Sequence, residues 1–92
     1  MAKYLMLGKY SQEAIKGMSA ERTKKVIEVI NNSRGKVDSM CALLGSYDLA
    51  LLVEFPSNTE AIKVSIALAK LTDIAFTTFP AITVEEFDKI TG

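Results

Sequence analysis

Two strand-like runs, Val37 to Leu44 and Leu49 to Phe55, are parted only by the stretch Leu44-Gly45-Ser46-Tyr47-Asp48-Leu49. So short a break returns the chain beside itself, which makes the two runs a hairpin. Gly45 can take the positive φ that closes a turn without a Cβ clash. Asp48 can tie its carboxylate to nearby backbone N–H groups as the chain re-enters a strand. Around this hairpin the chain arranges one helix and one strand on each side.

On the N-terminal side, Lys3 to Tyr10 reads as the first strand, with Leu5 and Leu7 on one face and Tyr4 and Met6 on the other. Ser11 caps a short helical turn through Ile15, ended by Gly17. Ser19 is a second N-cap, with Glu21 in the first turn where the helix dipole favours an acid. Thr23, Val26, Ile27 and Ile30 follow at helical spacing, with Lys24, Lys25 and Glu28 opposite. Asn31 to Gly35 stops this helix.

Lys36 to Leu44 and Asp48 to Phe55 form the central hairpin. In the second, Leu49, Leu51, Val53 and Phe55 alternate with Ala50, Leu52 and Glu54. Pro56 ends it, having no N–H for a ladder. Ser57-Asn58-Thr59-Glu60 is a capping box, Ser57 reaching the backbone at Glu60 and Glu60 reaching back. The helix behind it is apolar nearly all round (Ile62, Val64, Ile66, Leu68, Leu71), which calls for deep packing or a second contact. Thr72-Asp73 closes it, and Ile74 to Phe79 is the last strand. After Pro80, Thr83-Val84-Glu85-Glu86-Phe87 starts a short terminal helix reaching Ile90.

The order βαββαβ with a helical tail predicts one α+β domain over residues 1–92: a ferredoxin-like, four-stranded antiparallel sheet with two helices on one face. The strands, however, carry apolar residues on both faces. Met6, Met40, Ala42, Leu52 and Phe76 cannot all lie under the helices if their neighbours in sequence do. A bare antiparallel face should alternate towards polar. A second copy covering the open face, sheet to sheet, resolves this, and a homodimer is expected.

Acidic and basic residues balance at 11 each without a long run of either sign, which argues against nucleic acid or an anionic membrane as partner. A single cysteine, Cys41, rules out an internal disulfide and makes a reducing cytoplasm the natural compartment. There is no signal-peptide pattern, and no stretch nears the ~20 apolar residues of a membrane span. No histidine is present, which removes the commonest general base and metal ligand together.

Gly35-Lys36-Val37, the run Leu44-Gly45-Ser46-Tyr47-Asp48-Leu49, Val53-Glu54-Phe55-Pro56 and Glu85-Glu86-Phe87 resemble the pattern of the GYD-domain family nearly end to end. That resemblance implies a dimeric α+β barrel of ferredoxin-like halves, in a family of largely unassigned function. Two departures stand out: Arg34 precedes a lone Gly35 where paired glycines are expected, and Pro80 follows the last strand where a polar or basic residue is expected. The Gly-x-Tyr-Asp hairpin is also similar to the effector-binding domain of leucine-responsive/asparagine-type regulators. Those domains pair as dimers, often form larger rings and bind amino acids between subunits; this chain would resemble a stand-alone version.

Tyr47, Asp48, Glu54 and Thr77 are the candidate ligand-binding residues. Tyr47 and Asp48 can hold a ligand amine, although turn and seam packing alone account for these residue types. Glu54 is the best acid, because its own face otherwise reads Ala50 and Leu52; the bland alternative is a solvated strand-end carboxylate paired with a lysine. Cys41, in an apolar strand without histidine, reads as a buried structural thiol. No catalytic residue, metal site or cofactor is assigned, since acids are scattered and no glycine-rich loop cradles a phosphate. An RNA-recognition motif shares this element order, but Leu49 to Val53 has neither an aromatic nor a basic residue to stack or pair with bases.

The expected function is a cytoplasmic homo-oligomeric module binding a small, amino-acid-like metabolite, as a homodimer or a higher ring. The alternatives are a cofactor-free enzyme of the dimeric α+β barrel kind, monooxygenase- or isomerase-like, and a purely structural assembly piece. Whether any reaction is catalysed stays open, and the missing histidine leans against it.

Overall fold

The computed structural model describes residues Met1–Gly92. In chain order its elements are β1 (Ala2–Tyr10), α1 (Gln12–Lys16), α2 (Ala20–Asn32), β2 (Lys36–Ala42), β3 (Leu49–Phe55), α3 (Asn58–Thr72), β4 (Ile74–Ala81) and α4 (Val84–Thr91). The strands form one four-stranded antiparallel sheet in the order β2-β3-β1-β4. This is the α+β, ferredoxin-like arrangement that the element order predicts.

The helices begin where their caps stand. The hydroxyls of Ser11, Ser19 and Thr83 accept from the backbone N–H of Ala14, Arg22 and Glu86. Ser57 departs slightly from the expected box: its Oγ accepts from the Thr59 N–H, and its hydroxyl donates to the Glu60 carboxylate, side chain to side chain. At the end of α2, the Gly35 N–H reaches back to the Ile30 carbonyl at 2.9 Å and the Arg34 N–H to that of Asn31 at 3.1 Å. This paired closure places the residue after the cap in the left-handed region. Arg34, at φ 64°, takes that position.

The core lies between the sheet and the two long helices. Val26 and Ile30 of α2, with Ala61, Val64 and Leu68 of α3, close on Tyr4, Met6, Leu51, Val53 and Phe55. The Tyr4 and Phe55 rings meet at 5.8 Å, tilted by 54°. Along β1 and β3 buried residues alternate with half-buried ones, so a single face of the sheet is covered.

Membership of the two faces differs from the expectation in one instructive way. The β2–β3 register skips a residue between Val37 and Ser39, a bulge at Asp38. One extra residue reverses the alternation beyond it. Val37 and Met40 therefore both pack against the core, whereas Cys41, expected to be buried, is exposed. Met6 is fully buried and Phe76 packs against the core, also on the helix side. Leu52 stands on the other face with Leu5, Leu7 and Phe79. An open apolar face thus exists, lined by Leu5, Leu7, Leu52 and Phe79, and the facing of β1, for which the sequence allows either parity, is settled with Tyr4 and Met6 towards the helices.

Two boundaries also shift. β2 ends at Ala42, leaving a loop over 43–48 in which Leu44 is fully exposed. β4 runs through Pro80 to Ala81. It is an edge strand, where a missing N–H is tolerated. α4 has no buried residue. The accessible surface, 6038 Å², exceeds the roughly 5,300 Å² expected for this mass, as an uncovered face and a projecting helix require. No helix is long and apolar enough to cross a membrane.

Candidate functional site

The open face of the sheet combines an apolar floor with a charged end. Lys3 on β1 lies opposite Glu54 on β3, which lies opposite Lys36 on β2. The bulge adds Asp38 to this row. The Lys3 ammonium donates to Asp38 Oδ2 at 3.0 Å and stands 3.6 Å from Glu54 Oε2, while Lys36 Nζ is 3.8 Å from Asp38 Oδ1. The Lys3 hydrogen bond holds the Asp38 carboxyl below the usual carboxylate range, and the same bond raises the Lys3 ammonium above the ordinary lysine value. Two cations and two carboxylates thus border a strip of Leu5, Leu52 and Phe79. Such an edge offers complementary charge to a zwitterion and apolar contact to its body.

The four residues singled out in the sequence fall into two groups. Glu54 and Thr77 both lie on this open face. Thr77 pairs with Leu7, four residues along β1 from Lys3, the partner of Glu54. With strand rise and spacing, the two are about 16 Å apart, so one small molecule cannot touch both within one chain. Tyr47 and Asp48 sit half-buried at the other end of β1. Asp48 Oδ2 accepts from the Tyr10 N–H at 2.8 Å, and its own N–H donates to the Gly8 carbonyl at 2.8 Å. Lys9 Nζ donates to the Ser46 carbonyl at 3.1 Å. The loop is therefore fastened across to β1, the neighbour of β3 in the sheet.

A concavity that the sequence does not announce lies on the helix side between α3 and the edge strand β4. Its volume is about 350 Å³, with Tyr4, Asn58, Ile62, Ile66, Phe76 and Pro80 among its lining residues. The Tyr4 hydroxyl donates to Asn58 Oδ1 at 2.5 Å, and the Ser65 and Thr78 hydroxyls are hydrogen-bonded at 2.8 Å. The signal in the sequence was the all-round apolarity of α3. Ala61, Val64 and Leu68 face the core, whereas Ile62 and Ile66, 60% and 53% exposed, flank the groove.

No group of three or more potential metal-ligating side chains comes together in the structure. No protein of curated function matches the chain. The family model described as GYD domain matches residues 4–91, nearly its whole length, and the chain belongs to the GYD domain family.

Proposed function

We propose that this chain is a cytoplasmic, self-associating module that holds a small, amino-acid-like metabolite where two sheets meet. The observation that carries this reading is the uncovered sheet face, apolar along Leu5, Leu7, Leu52 and Phe79 and charged at the Lys3–Asp38–Glu54 end. Water is a poor neighbour for such a floor, and a second copy of the same face is its simplest cover. Pairing also answers the separation of Glu54 from Thr77: across a two-fold axis, Glu54 of one copy and Thr77 of the other bound a shared space. Glu54 supplies the acceptor for a ligand ammonium, Lys3 faces its carboxylate, and Thr77 gives a neutral hydrogen bond. Tyr47 and Asp48 close the far end.

Native mass spectrometry of the purified chain tests this directly. A dimer, or a multiple of a dimer, carrying a reproducible small added mass is expected; a clean monomer refutes the reading. Leu52→Ala should weaken pairing. It removes about 1.5 kcal/mol of burial from each copy, hence about 3 kcal/mol per dimer and roughly a hundredfold in Kd.

A further inference from the structure

The groove between α3 and β4 and the apolar stripe of α4 are two unsatisfied surfaces of the same chain. Val84, Phe87 and Ile90 recur every three residues along α4 and are 73%, 54% and 75% exposed. Eight residues are too few for a helix to persist alone in water, where about 12–15 are needed even for good formers. α4 therefore needs a surface to lie on. Its own chain gives it none, since no residue of α4 is buried. The radius of gyration, 13.6 Å, exceeds the ~12 Å of a compact chain of this length.

We infer that α4 is an exchanged arm, and that the α3–β4 groove of one copy receives the α4 of a second copy. Three observations favour this occupant over a small ligand. The groove's polar groups are already paired with each other, Tyr4 to Asn58 and Ser65 to Thr78, and no buried side-chain polar atom lacks a partner. An apolar occupant thus leaves none of them unsatisfied. The dimensions agree: the groove follows α3 from Asn58 to Ile66, about 12 Å at 1.5 Å per residue, the length of an eight-residue helix. The lining agrees as well. None of the residues along the groove is charged, which suits the apolar stripe of α4 and gives a charged small ligand no ionic anchor.

The hinge explains why the arm goes to a neighbour. Only Ile82 and Thr83 separate β4 from α4, and Thr83, its N-cap, is extended at φ −68° and ψ 153°. The chain runs on past its own groove, and a short hinge of this kind favours exchange between copies. The groove lies on the helix side of the sheet and the proposed pairing face on the other. Exchange therefore stands apart from sheet pairing.

The test uses full-length chains in a Cys41→Ser background. One chain carries Ile66→Cys, and the other, distinguished by an isotope label, carries Phe87→Cys; they are mixed and treated with a short bismaleimide. The expected product is the mixed covalent dimer, at least tenfold over either like pair, and lost at least tenfold when Ile62→Asp is added to the first chain. Two results would overturn the inference. One is a chain bearing both cysteines that closes on itself at monomer mass in preference to mixing. The other is no mixed product at all. Sheet pairing is read separately, from the effect of Leu52→Ala on the oligomeric state, so failure of one proposal does not imply failure of the other.

Discussion

Arg34 and Gly35 are neighbours whose substitutions should move stability in opposite directions. Arg34 closes α2 with φ 64°, a conformation that costs a side-chain-bearing residue about 1–2 kcal/mol and glycine almost nothing. After the larger unfolded-state entropy of glycine is subtracted, Arg34→Gly is expected to stabilise the chain by up to about 1 kcal/mol. At Gly35, a Cβ would lie 2.5 Å from Phe55 Cε1 and 2.8 Å from the Ile30 carbonyl oxygen. Gly35→Ala should then cost on the order of 1–3 kcal/mol, since Phe55 is fully buried and has little room to yield. Urea denaturation of the two variants measures both, and equal signs would show that the α2 closure is misread. This pair is half legible in the sequence. The absence of a second glycine was visible in the sequence, but its backbone angle was not. Asp48 is similar: its turn chemistry was evident, yet its acceptor role towards Tyr10 depends on which strand lies beside β3, and local composition does not encode that.

Helices are most legible where a cap and an apolar period agree, as at Ser19 and Ser57; Ser11, a cap without a period, also starts a helix, but one of only five residues. β2 is the least legible element. A single-residue bulge leaves no periodic trace in a strand of seven residues, and it moved Cys41 from the expected core to the exposed face. The same bulge presents Asp38 to Lys3 and so joins β1 and β2 across the end of β3. That link has a defined pH window. Asp38 titrates below its ordinary range when folded, so its contribution is present above the usual carboxylate pKa and is lost as pH falls through the depressed value. Lys3 titrates above its ordinary value, so its share holds below that value and is lost as pH rises through the raised one. Asp38→Asn should flatten the acid limb of the stability–pH curve by a small loss at neutral pH that vanishes in acid, where the parent's Asp38 is itself protonated. The loss is small because exposed ion pairs contribute little. Thermal melts from pH 2 to 7 read this, and an unchanged acid limb would place the sensitivity elsewhere, with Glu60 the next carboxylate to test.

At the scale of the whole molecule, only 14 of 92 residues are buried, so a lone chain folds around a thin core. The fold class was legible because βαββαβ order and strand amphipathicity leave few alternatives. The α3–β4 groove was not, because it depends on how far a helix sits from a sheet edge. If a second copy supplies the missing cover, melting temperature must depend on protein concentration. A tenfold increase should raise Tm by about 3–5 °C, from about 0.7 kcal/mol per chain and the usual sensitivity of a domain this small. A flat Tm across the concentration series would count against pairing. On the proposed pairing, the bare face of Leu5, Leu7, Leu52 and Phe79 would govern how long the protein lasts as well as how it assembles. Proteolysis follows the population of open chains, and pairing would shrink that population as copies find one another. A scarce copy would then be short-lived and a plentiful one durable, with turnover set by abundance.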